Sequence, residues 1–206
     1  MADRFMHEVL TPAVLKAQDK YYGRRYSADD EAPSPDELRP QEISFIESRD
    51  SFYMGTITEN GWPYVQHRGG PAGFLRVLGP REIAFSDYRG NRQLVSTGSL
   101  AAHKRVYLFL IDYPSRSRLK ILVEAEVLDA REHPELANKL EPSGGHGATP
   151  ERIFRIKILS YDWNCPKFIT PRFTEAQVKE LISPLQLRVA ELESELATLR
   201  EQQPDP

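Results

Sequence analysis

The chain has 206 residues, of which 40% are apolar, and a formal net charge of −3. This composition fits one globular domain with a packed core plus appendages, and the acidic balance argues against a nucleic-acid-binding protein. The sequence has neither an apolar run that could span a bilayer nor a signal-peptide stretch near its start. Its single cysteine, Cys165, excludes an intrachain disulfide, so we expect a cytoplasmic protein.

Residues 1–40 are predicted to form a helix and a linker. Thr11 can cap a helix over residues 11–22. Acidic residues and prolines predict a linker over residues 27–40. A second helix is expected over residues 41–48, where isoleucines share one face.

Seven strands are predicted to follow. They cover residues 52–58, 64–68, 74–78, 83–86, 106–111, 119–127 and 153–161. Asn60 and Gly61, between the first two, are typical of a tight hairpin turn. Strands and helices do not alternate regularly, which argues against a doubly wound fold. Short turns and few helices therefore predict a mainly-β domain over residues 41–173, an antiparallel barrel that is closed or nearly closed.

Residues 174–206 have a different pattern. Thr174 and Gln177 form a capping box that begins a helix. Apolar residues then recur in two series of period seven: Val178, Leu185, Leu192 and Leu199, and Ile182, Val189 and Leu196. This spacing favours a parallel two-stranded coiled coil, although Pro184 should kink the helix or delay its regular part. The alternative is an amphipathic helix that lies on its own barrel.

The fourth predicted strand ends in the sequence SDYRGNR, residues 86–92. Its arginines and Asn91 can bind a phosphate through charge-assisted hydrogen bonds, and Gly90 lets backbone N–H groups turn toward an anion. Residues 85–120 carry seven basic and two acidic side chains, which favours a small anion as ligand. The alternative is an ordinary polar turn with solvated arginines.

Two further stretches carry candidate binding residues. In YVQHRGG, the alternation of a strand puts Gln66 and Arg68 on one face. The glycines that follow either let a flat ring approach the backbone or mark a barrel corner. In YDWNCPKFITPRF, Trp163 can stack on a flat cofactor or belong to the core, and Arg172 supplies another cation.

In their order, these motifs resemble the flavin-binding split barrels related to pyridoxamine 5'-phosphate oxidase, and most closely the branch of predicted flavin-nucleotide-binding proteins. The resemblance covers roughly residues 40–173. Its most specific parts are DYRGNR, residues 87–92, and DWNCP, residues 162–166. It implies a homodimer of six-stranded split barrels with FMN at the dimer interface.

The resemblance also implies the cofactor-binding residues. It assigns the flavin ring to Gln66, His67 and Arg68, the phosphate to Ser86, Asp87, Asn91, Arg92, Gln93 and Lys120, and a C-terminal pair, often from the other subunit, to Trp163 and Arg172. The sequence Asn91-Arg92-Gln93 departs from the oxidase's Ser-Arg-Lys, Gln66 replaces an arginine, and the Arg-Leu-x-Pro signature is absent. We therefore expect a flavin site but not pyridoxamine phosphate as substrate.

The expected function is that of an FMN-dependent oxidoreductase with a small-molecule substrate and no assigned catalytic residue. One alternative is a non-catalytic flavin-binding sensor or carrier, and another is a split barrel that holds deazaflavin or haem. The five histidines have no metal-ligand spacing with Cys165. Cys165 is either a nucleophile or part of a packed turn, and His67 is either an acid–base group or a simple hydrogen-bond donor.

Overall fold

A computed structural model describes residues 3–23, 31–142, 149–163 and 166–202. The chain forms two compact units, one comprising Met1–Asp112 and Ser117–Lys167, the other Tyr113–Arg116 and Phe168–Pro206. Cys165 lies outside the described residues, as does part of the predicted linker. The part of that linker that is described, residues 31–39, contains neither helix nor strand.

All seven predicted strands are present, which confirms the mainly-β antiparallel fold. They are β1 (Ser51–Ile57), β2 (Pro63–Gly69), β3 (Arg76–Gly79), β4 (Glu82–Asp87), β5 (Arg105–Asp112), β6 (Ser117–Asp129) and β7 (Arg152–Trp163). They form one sheet in the order β2-β1-β5-β6-β7-β4-β3, with antiparallel neighbours throughout. The sheet thus has seven strands rather than the six that the resemblance implied. The turn between β1 and β2 contains Gly61 with φ 86°, as the hairpin signal predicted.

The described residues form six helices. They are α1 (Asp3–Val9), α2 (Pro12–Tyr22), α3 (Pro40–Glu47), α4 (Val95–Ala102), α5 (Pro134–Lys139) and α6 (Glu175–Gln202). The sequence predicted α2, α3 and α6. It missed α1, α4 and α5, which are short, and in α4 Gly98 and β-branched residues lower the intrinsic helix propensity. None of the described helices is long and apolar enough to cross a membrane.

The sheet is rolled around a core of aromatic side chains. Phe85 of β4 stacks on Phe154 of β7 with ring centroids 4.8 Å apart. Phe85 also contacts Phe52 of β1 at 5.4 Å, although β5, β6 and β7 lie between β1 and β4 in the strand order. Only a strongly curved sheet brings these strands together, as the barrel prediction requires. Gly70 makes room for Phe74 of this core, because a Cβ there would lie 2.8 Å from the Phe74 ring.

The opposite side of β2, β1, β5 and β6 forms a second surface, which we call the outer face. Strand register places one row of side chains across it, formed by His67, Tyr53, Phe109 and Lys120, and the row continues to Asp162 of β7. The next row begins with Val65, whose side chain is 65% exposed. Lys120 therefore points away from the core, as its alternation in the sequence predicted.

Helix α3 is attached to the sheet through Trp163, at the end of β7. The Trp163 indole N–H donates to Oε1 of the buried Glu42 at 2.7 Å, and its ring meets that of Phe45 edge-on at 4.8 Å. Glu42 also accepts from the Arg39 backbone N–H at 3.1 Å, which caps the start of α3. Within one chain, Trp163 thus packs in the protein interior, which the sequence analysis gave as the alternative to stacking on a cofactor.

Replacing Trp163 by phenylalanine is expected to destabilise the fold. The ring contact with Phe45 can persist, but the buried Glu42 carboxylate loses a hydrogen-bond donor, at a cost of about 1.5–3 kcal/mol in the free energy of unfolding. Urea denaturation measures this change. Trp62→Phe is the matched control, because Trp62 is 71% exposed and should change stability by less than about 0.5 kcal/mol. Equal effects of the two substitutions would contradict the assigned role.

Candidate functional site

A cavity of about 170 Å³ lies where β2, the end of β4 and the start of α4 meet. Six of the residues that the sequence nominated line it: Gln66, Arg68, Asp87, Asn91, Arg92 and Gln93. The first two project from the same side of β2, as the alternation predicted. The others belong to the end of β4 and to the loop that follows. The structure therefore joins the predicted ring-binding and phosphate-binding segments in one site.

Asp87 organises the cationic side of the cavity. Its Oδ1 accepts from Arg68 Nη1 at 2.7 Å, and its Oδ2 accepts from Arg152 Nε at 2.8 Å. The three side chains are only 13–19% exposed. Arg152 Nη1 also pairs with the more exposed Glu151 at 3.0 Å. Among the side chains that line the cavity, Arg68, Arg92 and Arg152 are cationic and Asp87 is anionic. This excess of positive charge at the cavity wall favours binding of an anion.

Arg68 is held in a largely apolar setting. Its guanidinium lies 4.8 Å from the centroid of the Phe154 ring and 5.7 Å from that of Phe85. Burial lowers the pKa of Arg68 and the carboxylate of Asp87 opposes that shift; the group stays protonated at neutral pH. Its Nε is buried without an acceptor among the described residues. A buried donor without a partner is costly.

The loop after β4 has a strained backbone. Arg92 and Leu94 adopt φ 62° and 52°, in the left-handed region that costs a side-chain-bearing residue about 1–2 kcal/mol. Gly90, which the sequence suggested for this flexibility, does not have a positive φ. The Gln93 backbone N–H donates to Asn91 Oδ1 at 3.1 Å and fixes the turn. Strain of this kind is concentrated at ligand sites.

Helix α4 begins at the cavity. Leu94 precedes it without a side-chain cap, so the first backbone N–H groups and the positive end of the helix dipole remain available to an anion. Ser96, in the first turn, donates to Gln66 Oε1 at 2.9 Å and orients that amide. This hydrogen bond links the start of α4 to β2.

Five of the nominated residues lie elsewhere. His67 is on the outer face, where its ring meets Tyr53 edge-on at 5.7 Å. Lys120, also on that face, pairs with Asp162 at 2.5 Å. Ser86 is buried in β4 and does not line the cavity. The other two are Trp163, which packs on α3, and Arg172, whose guanidinium lies 4.8 Å from the Tyr113 ring in the second compact unit.

Sequence reasoning missed several residues of the cavity, among them Tyr64, Ser96, Thr97 and Arg152. Tyr64 shares the side of β2 that carries Gln66, so the same alternation could have found it. Ser96 and Thr97 depend on the unpredicted helix α4. No local signal marks Arg152, because only the register between β4 and β7 sets it opposite Asp87.

The donors around the cavity fit a phosphate group. They combine the ordered arginine pair, the exposed Arg92 and Asn91 and the start of α4, which together offer charge and N–H groups to phosphate oxygens. The volume is small, however, because pockets that bury a drug-sized ligand usually measure about 300–1,000 Å³. A larger phosphorylated ligand must therefore extend beyond this cavity.

A family model described as pyridoxamine 5'-phosphate oxidase matches residues 38–162, more than half of the chain. No curated protein shows significant similarity to this chain. The solved structure of tagged HupZ from Group A Streptococcus is similar with a TM-score of 0.50 at 11% identity, over 66% of this chain and 100% of that one. Together with the family match, this similarity confirms the split-barrel fold.

Two further solved structures are similar at lower scores. One is an FMN-binding protein from Syntrophomonas wolfei, with a TM-score of 0.45 and 10% identity over 60% of this chain and 86% of that one. The other is a protein from Clostridium acetobutylicum that is related to general stress protein 26, of the pyridoxinephosphate oxidase family. Its TM-score is 0.45 and its identity 16%, over 60% of this chain and 85% of that one.

Asp87→Asn is expected to destabilise the protein strongly. The amide keeps the size of the side chain but removes its charge. Arg68 then loses its carboxylate partner, and Arg152 keeps only the more exposed Glu151. Breaking such a network costs roughly 3 kcal/mol in the free energy of unfolding, which urea denaturation measures. Glu82→Gln is the control, since Glu82 lies at the other end of β4 and pairs with the half-exposed Arg155. A similar small effect of both substitutions would show that Asp87 does not hold the arginines.

Proposed function

Because this chain belongs to the pyridoxamine 5'-phosphate oxidase family, we propose that it binds FMN and acts as an oxidoreductase on a small molecule. The single observation that supports the proposal most is the pair of arginines that Asp87 orders beside a strained, polar loop. A carboxylate would be a poor ligand there, because it offers fewer acceptor oxygens than a phosphate to the donors that converge on the cavity.

The residues of the cavity have separate tasks in this proposal. Arg68, Arg152 and Arg92 provide positive charge to the phosphate, and Asn91 provides an amide beside it. Gln66, held by Ser96, lies nearer the sheet and donates to the polar edge of the ring. FMN, when bound, supplies the redox chemistry, and the protein supplies binding, orientation and exclusion of water. We assign no catalytic acid or base.

We further propose that the protein is a homodimer whose outer faces meet. The cavity of one chain is too small to enclose a whole flavin nucleotide, and His67 and Lys120 lie on the other side of the sheet. The outer face also exposes apolar side chains, among them Val65 and Ile57. A second copy that covers this face would bury them and bring His67 and Lys120 to an interfacial cofactor. Arg172 remains a predicted contact from the other subunit.

The substrate is proposed only as a small molecule, because the departures from the oxidase signatures argue against pyridoxamine phosphate. A cytoplasmic location is proposed from the single cysteine. The rival functions are a flavin-binding sensor or carrier without turnover and a barrel that binds deazaflavin or haem. Each rival predicts a different chromophore or a different response to reductants.

The chromophore that accompanies the purified protein distinguishes these functions. We expect a flavin absorption spectrum, release of FMN on denaturation, and bleaching of the flavin by a reduced nicotinamide followed by reoxidation by an artificial acceptor. A deazaflavin or haem spectrum would contradict FMN binding. Bound FMN that no donor reduces would contradict the oxidoreductase and favour the sensor or carrier.

Arg92→Ala should weaken FMN binding. The substitution removes one charged hydrogen bond to the phosphate, worth about 1.5–3 kcal/mol, so the dissociation constant should rise roughly 10- to 150-fold. Quenching of FMN fluorescence on titration with apoprotein measures it. Arg131→Ala, at an exposed position outside the cavity, should leave the affinity unchanged. If Arg92→Ala binds FMN normally, Arg92 is not part of the site.

Val65→Asp should weaken the proposed dimer by at least about tenfold, since burying an unpaired carboxylate in an apolar interface is costly. Val65 is exposed in the single chain, so the fold itself should persist. Sedimentation equilibrium measures the dimer, and FMN affinity should fall with it. Val14→Asp on the exposed side of α2 is the control. An unaltered dimer in the Val65 variant would place the interface elsewhere.

A further inference from the structure

Helix α6 presents an apolar seam along its length. The seam consists of the residues that recur every seven positions: Val178, Ile182, Leu185, Val189, Leu192, Leu196 and Leu199. Their side chains are 37–65% exposed. Seven aliphatic side chains in one exposed row are a strong reason to expect a partner, and the narrow stripe is typical of a coiled-coil seam rather than of a helix that lies on a broad core.

We propose that the seam binds the same seam of a second copy, in a parallel, in-register, two-stranded coiled coil. Set in the heptad abcdefg, the a positions hold Ile182, Val189 and Leu196, and every d position from Leu185 onward holds leucine. β-Branched residues at a and leucine at d favour two parallel strands. An antiparallel pair would set a against d and lose this preference.

Charge complementarity supports the same orientation. In a parallel dimer the g position of one helix faces the e position of the next heptad on its partner. Arg188 occupies such a g position and Glu193 the facing e position, so the two helices can form this ion pair twice. Within one chain Arg188 pairs with Glu191 at 3.0 Å on its own exposed helix surface, a weak interaction that the interhelical pair can replace.

Three residues of α6 depart from the pattern. Pro184 occupies a c position and Leu187 an f position, both directed outward in a coiled coil, and Leu181 occupies a g position that borders the seam. Helix α6 continues through Pro184 from Glu175 to Gln202, so the proline does not end the helix before the regular heptads begin. The seam is therefore continuous on both sides of it.

The coiled coil would act together with the proposed barrel interface. Fewer than four heptads form a weak dimer alone, but two interfaces within one pair of chains strengthen each other through effective concentration. Deletion of the residues after Phe173 should accordingly weaken the dimer without abolishing it. Sedimentation equilibrium of the truncated chain measures this, and an unchanged dimer would contradict a pairing role for α6.

Disulfide cross-linking of the full chain tests the orientation. In a Cys165→Ser background, Leu199→Cys places a thiol at a d position near the end of α6. Oxidation with copper phenanthroline should give a covalent dimer for most of the protein, because in-register helices bring the two thiols together. Leu187→Cys, at an equally exposed f position, is the matched control and should remain largely monomeric on denaturing gels.

Three results would overturn the proposal. The first is that Leu199→Cys cross-links no better than Leu187→Cys, which would show that position 199 does not face its copy. Preferential cross-linking in a mixture of Leu199→Cys with Ile182→Cys chains would show antiparallel helices. The third is a native dimer that binds FMN but shows neither cross-link. That result would mean that α6 does not pair, while the proposed function would stand. A failure of the coiled coil is therefore distinguishable from a failure of the proposed function.

Discussion

The ion pair between Arg68 and Asp87 is the interaction on which the candidate site depends. It joins β2 to β4, which are separated by four strands in the sheet order, so it forms only if the sheet rolls up. Asp87 then also engages Arg152 on β7. One carboxylate thus connects three strands at the mouth of the barrel and orders two arginines there. The stability of the barrel and the proposed anion site therefore depend on the same side chain.

The two sides of the sheet explain why the nominated residues separate into two groups. Side chains on the inner side of β2 reach the cavity, and those on the outer face cannot reach it within one chain. A site built from one chain would leave His67 and Lys120 without a role in binding. A site shared by two copies uses both sides of the sheet, and it also accounts for a cavity that fits a phosphate but not a whole nucleotide.

Much of this architecture follows from local sequence. Alternation predicted the strands and the shared direction of Gln66 and Arg68, and the polar sequence after Phe85 predicted the loop at the cavity. The rest depends on long-range pairing. Arg152 joins the site through strand register alone, and the left-handed residues of the loop are Arg92 and Leu94 rather than Gly90, because the start of α4 sets the path of the chain. Alternation also puts His67 on the face of β2 opposite Gln66 and Arg68. The family resemblance assigned all three residues to the flavin ring and did not distinguish the two faces.

The central claim is that an arginine pair ordered by Asp87 binds the phosphate of FMN. Phosphorus NMR of the FMN complex across a pH titration tests it directly. On acidification the phosphate of free FMN changes from the dianion to the monoanion near pH 6, and cations that contact the dianion lower that pKa. The account predicts that the bound resonance stays that of the dianion well below pH 6. A bound resonance that titrates as free FMN does would contradict it, because the phosphate would then lie in solvent.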